Sequence, residues 1–137
     1  MNTVQIVAPN NVYNVWEDIK EYLNTSINVS GGDFTLDQLK LLLVRGEQTL
    51  LVSVNENNKI NGAMTVEFIN NANARTMFIT ALGGSGIVND ETFSQVEVWA
   101  KMQGATKASA WAQEAQARLY KIKANFNTVR MVVEKDL

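Results

Sequence analysis

Apolar positions recur at two different periods along this chain. Residues 3–7, TVQIV, read as a short strand, and Pro9, Asn10 and Asn11 interrupt it and can open a helix. Val12, Val15, Trp16, Ile19, Tyr22 and Leu23 then recur at spacings of three and four, the signature of an amphipathic helix. Residues 24–33 are rich in Asn, Ser and Gly and read as a loop. Thr35 with Gln38 matches a capping box, Asp37 suits the first turn, Leu36, Leu39, Leu42 and Leu43 supply an apolar face, and Gly46 ends the helix.

The middle of the chain changes period. Residues 49–54, 60–69 and 75–82 are apolar runs separated by the polar turns 55-NENN-58 and 70-NNANA-74, which predicts an antiparallel meander. Asn89 or Asp90 can then cap a helix carrying Phe93, Val96, Trp99 and Ala100, closed by Gly104. Residues 106–111 read as a strand, 113–124 as a helix with Ala115, Leu119 and Ile122 inward, and 128–135 as a closing strand. The order is β-α-α-β-β-β-α-β-α-β, an α/β fold in which an antiparallel half runs into a right-handed parallel β-α-β crossover. Residues 1–137 show no repeat or linker and read as one domain.

Composition narrows the chemistry. Hydrophobic residues are 46% and charged residues 19% of the chain, which reads as a globular protein. The net charge of -2 gives no bias toward nucleic acid. No apolar run is long enough for a membrane span, and MNTVQIVAPN lacks the features of a signal peptide, so no secretion by that route is expected. With no Cys and no His, thiolate and imidazole metal sites and Ser-His-Asp or Cys-His catalysis are excluded, and no metal is expected. Any catalysis must use carboxylates, Tyr, Lys, Ser/Thr or backbone amides.

The stretch 79-ITALGGSGIVND-90 carries the main candidate: a strand, a glycine loop and a helix start, an arrangement that can hold a phosphate. The plainer reading is a tight turn that needs glycine. Glu67, on the face opposite Val66 and Phe68, is either a general base or a solvated strand carboxylate. Trp16, Trp99 and Trp111 are core or interface residues. Arg118, Lys121 and Lys123 could meet an adenosine phosphate or form a solvated helix face.

The order of elements, with 96-VEVWAKMQGA-105 and 118-RLYKIKANF-126, resembles the GNAT superfamily, the Gcn5-related N-acetyltransferases. The first segment is similar to a "W-A-x-x-x-G" close of the third helix, and the second to "L-Y-x-x-x-G-F", with Asn125 in place of the usual Gly. The resemblance implies a GNAT-like mixed sheet and acetyl-CoA as cofactor. It makes Tyr120 the general acid toward departing CoA thiolate, and sets Gln113 nearest to the asparagine that often opens the fourth helix. It also sets 81-ALGGSG-86 against the family's Q/R-x-x-G-x-G/A, so that the amides of Gly84, Ser85, Gly86 and Ile87 would hold the CoA pyrophosphate. Here Ala81 stands where the family has Gln or Arg, no Lys or Arg lies between Arg75 and Lys101, and Asp90 and Glu91 open the helix.

The pairing of ALGG with WAKMQGA further resembles short GNAT-like proteins of tailed bacteriophages, internal virion proteins among them. That likeness implies virion or other protein partners, with a homo-oligomer left open, and a place in the virion or host cytoplasm. Two functions follow as expectations: a GNAT-fold virion component with a degenerate acetyl-CoA site, or an active N-acetyltransferase acting on an amine.

Overall fold

The computed structural model of the chain describes residues 2–29 and 34–137, apart from the side chains at 28, 29, 114 and 115. One sheet runs in the order β1 (Thr3–Val7), β2 (Thr49–Val54), β3 (Ile60–Asn70), β4 (Arg75–Gly84) and β5 (Lys107–Ala110). The pairings from β1 to β4 are antiparallel, and β4 pairs with β5 in parallel. Helices α1 (Val12–Val29) and α2 (Leu36–Val44) pack on one face, and α3 (Asp90–Met102) and α4 (Glu114–Ala124) on the other. Alternation along β2 feeds both layers: Leu50, Val52 and Val54 join Trp16, Ile19, Leu23 and Leu39, while Leu51 joins Met64, Met77 and Phe93. This is the mixed α/β architecture expected from the sequence.

Local chemistry explains several boundaries. Thr35 and Gln38 form the reciprocal capping box that starts α2. Asn55 Oδ1 accepts from the amides of Asn57 and Lys59, tying the turn between β2 and β3. Asn125 takes the left-handed conformation (φ 60°, ψ 31°) that ends α4, so asparagine substitutes there for glycine.

Four expectations change. First, α1 runs on to Val29 through part of the stretch read as a loop, because buried Ile27 continues the stripe of Trp16, Ile19 and Leu23. The rest of that stretch, residues 30–33, lies outside the described residues. Second, α4 turns a different side inward: Tyr120 is buried, whereas Leu119 and Ile122 are exposed. The ring contacts that Tyr120 makes with Phe126 account for this rotation. The Ala115 side chain lies outside the described residues. Third, β4 is longer and β5 shorter than read, ending at Gly84 and Ala110. Fourth, no strand forms over residues 128–135, whose side chains are all exposed. A strand needs a partner ladder, and this segment makes none within the described chain.

Candidate functional site

A fork opens where β4 and β5 part. Their pairing covers Thr76↔Lys107 to Ile79↔Ala110, after which β4 runs on for five residues without β5 beside it. At the same level β4 carries a bulge. Thr65 pairs with Ala81 and Val66 with Ile79, so Thr80 is the extra residue. A bulge leaves its extra residue out of the ladder and re-aims the side chains around it. Ile79 therefore points into the α3–α4 layer, and Ala81 into the α1–α2 layer.

The Thr80 hydroxyl is held in a closed polar set. Its Oγ1 donates to Gln48 Oε1 at 2.6 Å and lies 2.7 Å from Thr65 Oγ1. A hydroxyl has one proton, so with Thr80 donating to Gln48 it is Thr65 that donates to Thr80. Thr65 is fully buried and Gln48 nearly so. The set carries no base able to activate either hydroxyl.

Glu67 lies one step along β3, cross-strand from Phe78 and on the face opposite Val66 and Phe68. The Phe78 ring meets Trp111 edge-on, with centroids 5.4 Å apart, and Trp111 is exposed. Glu67 is half-buried beside this pair of rings. Of the three tryptophans, Trp16 is core, Trp99 packs on Phe68, and Trp111 faces solvent at the fork.

The glycine loop is packed down against its own protein. A Cβ at Gly83 would run into the backbone carbonyl of Tyr22 in α1. Gly84, with φ +90°, sits 2.5 Å (from an added Cβ) over the Asn61 carbonyl and Gly62 Cα of β3. Only glycine fits both that conformation and that approach. A Cβ at Gly86 would strike the Asn61 side chain, which is itself fixed: Ser53 Oγ donates to its Oδ1 at 2.7 Å, and its Nδ2 donates to Asn2 Oδ1 at 3.2 Å. The Gly86 amide donates to the Asn61 carbonyl at 3.2 Å. Of the four amides expected to converge on a phosphate, that of Gly86 is therefore turned inward. Ser85 is exposed, and Ile87 is fully buried in the α3–α4 layer.

The start of α3 is capped internally. Asn89 Oδ1 accepts from the Thr92 amide, and the Thr92 hydroxyl donates to the Ile87 carbonyl at 2.9 Å. Asp90 and Glu91 occupy the first turn, where they offset the positive end of the helix dipole. Glu91 also accepts from the Asn2 amide at 3.1 Å.

Tyr120 lies on the other side of the sheet from Glu67, so the structure does not bring the two candidate catalytic side chains to one face. Its ring packs on Phe126 at 4.9 Å, and Phe126 packs in turn on Phe93. Burial pushes the Tyr120 phenol well above its ordinary value, because ionising it would place a charge among these rings. That makes it a poorer proton donor. Gln113 caps α4 through reciprocal bonds with Gln116 and is exposed.

The raised phenol has a pH consequence. The folded state holds the Tyr120 proton more tightly than the unfolded chain, whose tyrosines ionise near pH 10. The resulting stability is complete below about pH 10 and falls as pH rises beyond it. Absorbance at 295 nm followed through an alkaline titration should show an ionisation of Tyr120 that coincides with unfolding. Tyr120→Phe should remove that step.

The whole chain superposes on acetyltransferases. It matches a crystal structure of the aminoglycoside antibiotic 6'-N-acetyltransferase AAC(6')-Ih of Acinetobacter baumannii with a TM-score of 0.65 at 13% identity, covering 100% of this chain and 99% of that one. A predicted acetyltransferase with acetyl-CoA from Clostridium acetobutylicum matches with a TM-score of 0.68 at 14% identity, over 99% and 96%. A putative acetyl transferase of Pyrococcus furiosus matches with 0.66 at 16%, over 100% of both chains. No protein-family model and no curated protein matches the chain. The fold is that of the GNAT acetyltransferases. Among the described residues, no cluster of three or more acidic side chains is placed to hold a metal ion, and no helix is long and apolar enough to cross a membrane.

Proposed function

We propose that this chain is a GNAT-fold protein with a degenerate acetyl-CoA site, of the short kind encoded by tailed bacteriophages, whose scaffold serves assembly with virion proteins rather than acyl transfer. The observation that carries the loss of the cofactor is the Gly86 amide spent on the Asn61 carbonyl, over a tethered Asn61 side chain. The virion setting is carried by the likeness of ALGG and WAKMQGA to phage proteins. On this reading the protein acts in the virion or host cytoplasm.

Acetyl-CoA fits this chain in one half only. The fork and the bulge leave unpaired, re-aimed backbone that a thioester arm could meet. The pyrophosphate end does not fit. Its charge would meet Asp90 and Glu91 with no Arg or Lys between positions 75 and 101 to offset them. Each like-charge pair costs about 1 kcal/mol at about 4 Å even in water. Acetyl-CoA titrated calorimetrically into the full-length protein is expected to give no saturable heat up to about 1 mM, a limit that corresponds to binding weaker than about -4 kcal/mol. Saturation at micromolar cofactor would overturn the proposal.

A second reading, an acetyl-CoA-dependent N-acetyltransferase, is favoured by the fork itself and by half-buried Glu67 beside it. Glu67 would then take the proton of the attacking amine from one face of the sheet, and Tyr120 would protonate the leaving thiolate from the other. Release of CoA thiol that depends on an added polyamine, aminoglycoside or peptide N-terminus would establish this reading.

A further inference from the structure

We infer that β1 is a strap that holds the glycine loop at residues 83–87 shut, with Asn2 linking the two: whatever draws residues 2–7 off α3 also releases Asn61 and the Gly86 amide. The inference rests on the reading that this loop is closed in this chain.

The strap itself is lightly anchored. β1 is an edge strand, pairs with β2 alone and contains no buried residue. Its open side is closed by side chains of α3. Gln95 Oε1 accepts from the Val4 amide at 2.9 Å, and Gln95 Nε2 donates to the Asn2 carbonyl at 3.0 Å. One side-chain amide thus supplies the two kinds of bond that a neighbouring strand would make. Glu91 takes the Asn2 amide at 3.1 Å. An edge segment with so few buried contacts opens at low free energy.

From Asn2 a row of polar side chains crosses the sheet to the loop. Asn61 Nδ2, on β3, reaches over β2 and donates to Asn2 Oδ1 at 3.2 Å. Ser53 of β2 donates from its Oγ to Asn61 Oδ1 at 2.7 Å. Both ends of the Asn61 side-chain amide are therefore held, and it occupies the space that a Cβ on Gly86 would enter. The carbonyl of the same residue takes the Gly86 amide at 3.2 Å, and Gly86 is buried. The circuit closes on α3, because Asn89, which caps that helix, donates to the Gly86 carbonyl at 3.4 Å. Ser53 is fully buried, whereas Asn2 sits at the end of the edge strand. Of the two groups that hold the Asn61 amide, Asn2 is the one that can leave.

Amide hydrogen exchange read by NMR on the full-length chain tests this. In the parent, the Val4 and Gly86 amides should both be protected. Gln95→Leu keeps the size of the side chain and removes its bonds to the strap. Val4 and Gly86 should then both exchange faster, by about two- to tenfold, the range set by a single hydrogen bond. Asn2→Leu keeps the backbone bonds to α3 and removes only the acceptor for Asn61, so Gly86 should speed up by a similar factor while Val4 does not change. Thr35→Ala weakens the cap of α2 and should move neither amide relative to the rest of the chain, which separates the strap from a general loosening. A Gly86 amide equally protected in the parent and in both strap variants overturns the inference, as does one that responds as strongly to Thr35→Ala. A Gly86 amide already open in the parent overturns the reading that the loop is closed, and the strap with it.

Discussion

Replacing Gly83 with alanine is expected to lower the stability of the folded chain by about 3 kcal/mol, near the upper end of overpacking costs. The added Cβ would overlap the carbonyl of Tyr22, which is backbone inside α1 and cannot swing aside as a side chain could. Either the helix moves off the sheet or β4 does, and both carry core residues: Leu23 on one and Ala81 on the other. For a chain of 137 residues this corresponds to a fall in Tm of about 10 °C. Thermal unfolding followed by circular dichroism reads it directly. If the glycines served only to admit a phosphate, Gly83→Ala would leave Tm nearly unchanged.

Tyr120 gives the second large effect, and its two substitutions separate its roles. Tyr120→Ala removes a buried ring from contact with Phe126, and the loss should be about 3–5 kcal/mol, as for other buried aromatic truncations. Tyr120→Phe keeps the ring and should stay within about 1 kcal/mol of the parent. In an acetyltransferase the order would differ. Tyr120→Phe would then lower turnover by about 10²-fold or more without destabilising the protein, because the hydroxyl would act only as the thiolate forms. Chemical denaturation of both variants, beside a CoA-thiol release assay, distinguishes the two accounts.

Much of this fold was legible because its signals are local. The capping box of Thr35 and Gln38, the asparagine turns and the two helical stripes each declare themselves within a few residues. Tyr120, Glu67 and the glycine loop were equally visible as candidates. What they touch was not. The bulge at Thr80 adds one residue inside an apolar run and leaves no mark in its period. Asn61, which fills the space under Gly86, lies 25 positions earlier and is aimed there by Ser53 and Asn2, a long-range arrangement that no spacing encodes. The Gln48–Thr80–Thr65 set is hidden for the same reason. Residues 128–135 have the composition of a strand, but a strand exists only where another edge receives it. Among the described residues no edge does.

On the proposed reading the loop at residues 83–87 is packing rather than a cradle, and amide-resolved NMR during an acetyl-CoA titration tests this most directly. The amides of Gly84, Ser85, Gly86 and Ile87 should hold their positions as acetyl-CoA rises to about 1 mM, with Gly86 protected from exchange by its bond to Asn61. Saturable shifts that begin at these four amides, with the Gly86 amide released from Asn61, would contradict the claim and return the chain to the cofactor-binding acetyltransferases.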